Sequence, residues 1–347
     1  MGITARGRAR LKHLAYASGL LGALHRLRDA LTVATFHRVL PPDDERSAFA
    51  DPLYTISLDQ LEQCLEFFDR HYSLVDLAAV RAAARGEATL PTPALLVTFD
   101  DGWADTEEYA LPVLLRRGYP AVVFVVSSGV DSRHPFWQER VFRAWKSGAD
   151  PELLATAWRG AGIDAVPPPV TWQENESVRL LINRLRPLAP DVRLGLVEHV
   201  ENASQPTRPE LLTHEQLWSL HRAGIAIGAH GATHEALAER QPGIDELSAS
   251  KSHLSALLDG APIETMSFPH GSYDDDLLRA AATTYELVFT SDGCVNAVRG
   301  GHVGNVLGRI EIRAGPIVDA NGDVRPELLA RWLFARPRVA ITAPAST

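Results

Sequence analysis

Short apolar runs alternate with stretches of helical spacing along most of this chain. "LTVATFHRVL" (31–40) is β-branched and apolar and halts at Pro41-Pro42, which predicts a buried strand. In "SLDQLEQCLEFFDRHY" (57–72), Leu58, Leu61, Leu65 and Phe68 recur at helical spacing behind Ser57 as N-cap. A helix at "AAVRAAARGE" and the breakers Pro91 and Pro93 lead into a second buried strand, "ALLVTF" (94–99). A helix at 109–119, with Gly118 as its C-cap, and a strand at 121–130 follow.

The pattern then breaks. Residues 131–210 are rich in Trp, Arg and Pro and keep helical periodicity without a good strand, so they read as a helical insertion rather than a separate domain. Alternation resumes with helix 213–224, strand 225–230, helix 245–259, strand 265–271, helix 274–285 and strand 286–291. "GRIEIR" (308–313) is the last strand candidate. Repeated strand–helix units imply parallel strands, and seven or so of them, polar at their C-terminal ends, predict an α/β barrel with its chemistry at that face. The barrel is expected over 31–320, interrupted by 131–210, with a C-terminal helix (325–335) and a disordered tail in 321–347.

Composition narrows the function. With 46% hydrophobic and 22% charged residues, the 347-residue chain has material for a large core. A net charge of −9 argues against nucleic acid as a partner. Cys64 and Cys294 match no zinc or redox spacing and read as buried thiols, which favours a reducing compartment. Residues 1–30 carry six Arg/Lys against Asp29 alone. "RGRARLKH" followed by "LAYASGLLGAL" is like the start of a signal peptide, but no convincing cleavage site follows. We read an amphipathic basic helix that packs on the domain or lies on an anionic membrane surface, in a protein that is cytoplasmic or peripheral at the inner face of the membrane. No apolar run reaches the ~20 residues that span a bilayer.

Four strand ends carry reactive side chains: His37, the doublet Asp100-Asp101, His230 and His270. His234 lies four residues past His230. Thirteen histidines give about 0.5 such pairs by chance, so the spacing counts only because the pair follows a buried strand. One Asp at a strand end is an ordinary helix cap, but two exceed what capping needs. A metal on one carboxylate removes their repulsion and leaves the other free as a base. One Asp with two His supplies three ligands and open positions, the pattern of a catalytic divalent site. Asp100 would take a proton from water, and His37 is the candidate acid for a leaving amine. A non-haem Fe(II) oxygenase also uses two His and a carboxylate, but the strand–helix alternation and the lack of H-x-D spacing disfavour it.

These residues resemble the polysaccharide deacetylases of carbohydrate esterase family 4, the NodB-homology group. "TFDDG" (98–102) is similar to that family's first motif, "HGATH" (230–234) to its second and "SFPHGSYD" (267–274) to its third. The resemblance implies a distorted (β/α)7 barrel that removes N-acetyl groups from an amino sugar. It assigns Asp100 as base and Asp101, His230 and His234 as ligands of a divalent metal, zinc first, with Co²⁺, Ni²⁺ or Mn²⁺ as alternatives. The family's third motif opens with an Arg where Ser267 stands here, and its late catalytic His is missing. Phe36-His37 instead resembles the permuted branch of poly-N-acetylglucosamine deacetylases, in which an N-terminal Tyr-His supplies the acid. Arg309 is expected to stand in for the missing Arg. Phe268, Pro269 and His270 are expected to line the groove, with Trp103 and Trp137 stacking on the sugar. A glycan-binding relative with weak catalysis is the rival reading. The family does not fix which glycan is the substrate.

Overall fold

A computed structural model describes residues 29–148, 175–200, 208–239 and 243–343, together with Tyr16, Gly19, Gly22, His25 and Arg159. The expected basic N-terminal helix falls largely outside the described residues. Of the residues described there, Tyr16 shares a hydrogen bond between its hydroxyl and His71 Nε2 at 3.1 Å, and His25 stacks on Phe334 at 3.9 Å. Among the described residues, no helix is long and apolar enough to cross a membrane.

The parallel staves are β1 (Ala30–Phe36), β2 (Ala94–Phe99), β3 (Ala121–Val125), β4 (Ala226–Ala229), β5 (Thr265–Ser267) and β6 (Leu287–Thr290), each paired with the next. Every residue of β1 and β2 is buried, as expected of strands covered on both faces. Phe36 and Phe99 sit opposite each other in register, fully buried, with ring centroids 5.4 Å apart. Each such burial contributes about 1.5–3 kcal/mol. Helices α1 (Leu58–His71), α2 (Leu77–Ala84) and α3 (Leu111–Arg117) follow the first staves. A Ser57–Gln60 capping box starts α1, and Gly118 in the left-handed region ends α3.

The last strand candidate, 308–313, differs from expectation. It is split into β8 (Val306–Gly308), paired with β6, and β9 (Ile310–Glu311), paired with β1. A single residue, Arg309, separates the halves, so the seam of a nearly closed barrel runs through it. A strand that sequence reading passed over, β7 (Val295–Ala297), runs antiparallel to β1. Its Asn296 amide donates to Leu31 O and Gly308 O and accepts from Gly308 N, patching the gap beside the seam. The strands expected at 121–130 and 265–271 end early, at Val125 and Ser267, where tight helical turns take over. Near the C-terminal end, β10 (Arg338–Val339) pairs with β7, and Ile341 bridges Val306. Residues 344–347 lie outside the described set.

Part of the expected 131–210 insertion lies outside the described residues. The described part contributes α4 (Trp137–Lys146), α5 (Asn175–Leu185) and α6 (Pro190–Val200), which share a small core around Phe142, Leu181 and Val197. Ion pairs join it to the barrel: Arg143 and Arg38 meet on the buried Glu210, and the half-buried Arg179 donates from Nε to Asp51 Oδ2 at 2.8 Å. Helices α7 (His214–Arg222), α8 (Gly243–Leu257), α9 (Asp275–Thr284) and α10 (Pro326–Phe334) complete the outer layer.

Candidate active site

The aspartate doublet leaves β2 through two successive left-handed residues, Asp101 (φ 77°) and Gly102 (φ 77°). Asp tolerates this region better than most side chains, and a Cβ on Gly102 would come within 3.0 Å of Val125 Cγ1. The turn sends the two carboxylates in different directions. Asp100, still in the ladder through its N–H to Phe36 O, points at the seam. Arg309 grips it with both arms, Nη1 to Oδ1 at 2.6 Å and Nη2 to Oδ2 at 2.7 Å. The guanidinium is itself held by Thr290 O and by Ser267 Oγ at 2.5 Å. Burial pushes the Asp100 carboxyl up, but Arg309 and His230 outweigh it and hold it below the usual carboxylate range.

Asp101 points the other way. Its Oδ1 lies 3.2 Å from both His230 Nε2 and His234 Nε2, and its Oδ2 accepts from Trp103 Nε1 at 2.9 Å. The three form a buried group of candidate metal ligands. His230 Nδ1 is 3.0 Å from Ser267 O, and a carbonyl only accepts, so that nitrogen carries the proton. In the neutral ring, Nε2 then turns a lone pair toward the carboxylate, an arrangement that calls for a cation between them. The spacing also fits: two ligands about 2.0–2.1 Å from zinc at a tetrahedral angle stand ~3.3 Å apart. Burial raises the Asp101 carboxyl, yet the His234 and His230 imidazoles beside it hold it well below its ordinary range.

The two histidines sit on a loop, with His234 itself left-handed (φ 60°). Glu246 on α8 locks that loop, accepting from the N–H groups of Ala232 (2.7 Å) and Thr233 (3.0 Å) and from the Thr233 hydroxyl. Residues 102–104 are held in turn by the end of the insertion: Ala104 N donates to Glu210 O and Leu212 N to Gly102 O. Neither Glu246 nor this pairing had a sequence signal, because an acid on a helix surface and an Asx-rich turn look ordinary.

His37 sits just past β1, its Nδ1 3.7 Å from Glu311 Oε1 on β9. It lines a cavity of about 640 Å³ together with Asp100, Asp101, His230, His234 and Arg309. That volume suits a small-molecule or oligomer-end site. Trp137, Phe268 and His270 also line it, and Trp137 carries Arg193 over its ring at 4.5 Å. The other two expected groove residues are more enclosed. Trp103 also lines the cavity but is 2% exposed, with the Arg38 guanidinium 4.3 Å above its ring and Phe136 edge-on. Pro269 is buried and faces Gly231 rather than the cavity. Asp51, Tyr54, Glu139, Glu311, Arg313 and Trp332 belong to the wall and were not singled out from the sequence.

Residues 87–166 match the family model for polysaccharide deacetylase, a segment that contains the "TFDDG" motif. No curated protein matches the sequence. Among solved structures, the Streptococcus pyogenes deacetylase PplD in complex with acetate is similar at a TM-score of 0.54 and 18% identity, covering 88% of this chain and 98% of that one. IcaB from Ammonifex degensii gives 0.53 and 18%, covering 88% and 97%. BC0361, a polysaccharide deacetylase from Bacillus cereus, gives 0.53 and 14%, covering 88% and 69%. At these identities the structures speak for the fold, a distorted barrel of mostly parallel strands.

Proposed function

We propose that this chain, a polysaccharide deacetylase by its matched segment and its fold, hydrolyses the N-acetyl group of an amino sugar with the help of a divalent metal. The observation that carries the reading is the divergence of the doublet: one carboxylate faces two imidazoles and the other is clamped by a buried guanidinium. A zinc-like ion held by Asp101 Oδ1, His230 Nε2 and His234 Nε2 would polarise the acetyl carbonyl and acidify water. Asp100, kept ionised by Arg309, accepts the proton of the attacking water. Trp103 fixes the second oxygen of Asp101, and Ser267 O fixes the tautomer of His230. His37, oriented by Glu311, gives a proton to the departing nitrogen, so the products are acetate and a free amine.

The rival reading, a glycan-binding relative with weak catalysis, rests on the missing third-motif Arg. Arg309 meeting Asp100 from the seam weighs against it. Acetate release from N-acetylhexosamine oligomers, with and without chelator, tests the proposal. Turnover should stop on metal removal and return on readdition. Asp101→Ala should lose metal, whereas Asp100→Asn should keep metal and lose turnover. Full activity in metal-free protein would sink the mechanism.

A further inference from the structure

The wall that α4 contributes to the cavity holds a polar pair that the reaction leaves unused. Arg38 is 2% exposed and spends Nε on Asp105 Oδ2 and Nη1 on Glu210 Oε2, both at 3.0 Å. Its Nη2 is buried with no hydrogen-bond partner among the described residues. Glu139, in the first turn of α4, has its Oε2 3.9 Å from Arg38 Nη1 and no hydrogen bond to any described residue. Both side chains line the cavity that holds Asp100 and Asp101. A buried donor left unmade costs about 1–3 kcal/mol, and a bound group that filled it would recover that cost on binding.

We propose that Arg38 Nη2 and the Glu139 carboxyl form a subsite that reads an uncharged hydroxyl of the bound sugar, making the insertion a specificity element. The inference rests on the deacetylase reading and adds which wall selects the substrate. A hydroxyl is the group that fits both partners: its oxygen accepts from the guanidinium and its hydrogen is donated to the carboxyl oxygen. An ammonium would be repelled by Arg38, and an anion would sit among Asp51, Asp101 and Glu210. Burial pushes the Glu139 carboxyl up to about 8; Arg38 pulls it down, while the charges of Glu210, Asp51 and Asp101 push it further up. Burial therefore favours the uncharged carboxyl, and a hydroxyl can pair with it without needing a charge there.

The test uses the full-length protein and the N-acetylhexosamine oligomer on which acetate release is found, with its set of monodeoxy analogues. Glu139→Ala should lower kcat/KM about 10- to 100-fold, mainly through KM, with metal content and melting temperature unchanged. Glu139→Gln, neutral and able to donate and accept, should recover most of that loss. One monodeoxy analogue should penalise the wild type and leave Glu139→Ala indifferent. If Glu139→Gln is as impaired as Glu139→Ala, an ionised carboxylate is at work and the hydroxyl subsite is wrong. If Glu139→Ala matches the wild type on every analogue, or loses metal, the inference fails while the deacetylase reading stands. A wild type that releases no acetate from any oligomer overturns both.

Discussion

Arg309→Ala is the most informative single change. The pair it breaks is bidentate and nearly dry, with side-chain exposures of 2% for Arg309 and 4% for Asp100, so solvent does little to weaken it. Removing one partner of such a pair leaves an uncompensated buried carboxylate, at a cost of about 3–5 kcal/mol. The variant escapes part of this by protonating Asp100, which links stability and activity to pH. In the wild type the Asp100 carboxyl is held below its unfolded value. Its contribution is thus present above the unfolded carboxylate pKa, about 3.9, and is lost as pH falls through the lower folded value. Without Arg309 the folded value rises and the sign reverses: stability now falls as pH climbs past the unfolded value. Urea unfolding at pH 5 and pH 8 should show a larger loss at pH 8, and the acidic limb of the kcat/KM profile should move up. Arg309→Lys should recover only part, because a single ammonium cannot bridge both oxygens. In an Asp100→Asn background the cost of Arg309→Ala should shrink. A loss under ~1 kcal/mol together with an unmoved acidic limb would refute the claim that this pair sets the state of the base.

Trp103→Phe keeps the ring but drops the N–H to Asp101 Oδ2, and should weaken metal binding about 10- to 100-fold in a competition titration; unchanged affinity would show that the indole only fills space. Gly102→Ala combines a positive φ with a Cβ 3.0 Å from Val125 Cγ1, and should cost about 1–3 kcal/mol of thermal stability. Its melting curve, compared with that of Gly86→Ala at an open positive-φ site, separates crowding from backbone strain. His37→Ala should lower kcat about 10²- to 10⁴-fold with metal content intact, since His37 stands at the cavity wall and outside the ligand group. An active His37→Ala enzyme would move the acid role elsewhere.

Strands such as 94–99 were legible because burial on both faces writes itself as an unbroken apolar run. The doublet and the His pair were legible because reactive residues at strand ends stand out against such runs. What stayed hidden depended on closure. "GRIEIR" reads as one strand, yet its two halves bond to opposite neighbours, a distinction made by the ring and not by the hexamer. β7 was invisible because "VNA" is short and polar, and its value lies in what the Asn296 amide reaches across the sheet. The enclosure of Trp103 was not legible, because Arg38 and Phe136, which pack against it, are distant in sequence. Glu139 and Glu246 are acids in helical stretches, and nothing local separates a cavity wall or a loop lock from an ordinary solvated face.

The split strand has a further consequence. The guanidinium that keeps the base ionised is supplied by the residue at which the first stave meets the last. Until that joint forms, Asp100 lacks its counter-charge, however complete the ligand group beside it. Turnover would therefore report on the joint itself. A protein opened at 306–311 by heat, denaturant or a graft should fall silent as an enzyme while still binding its ion, so the order in which the two functions disappear would trace the order in which the barrel comes apart.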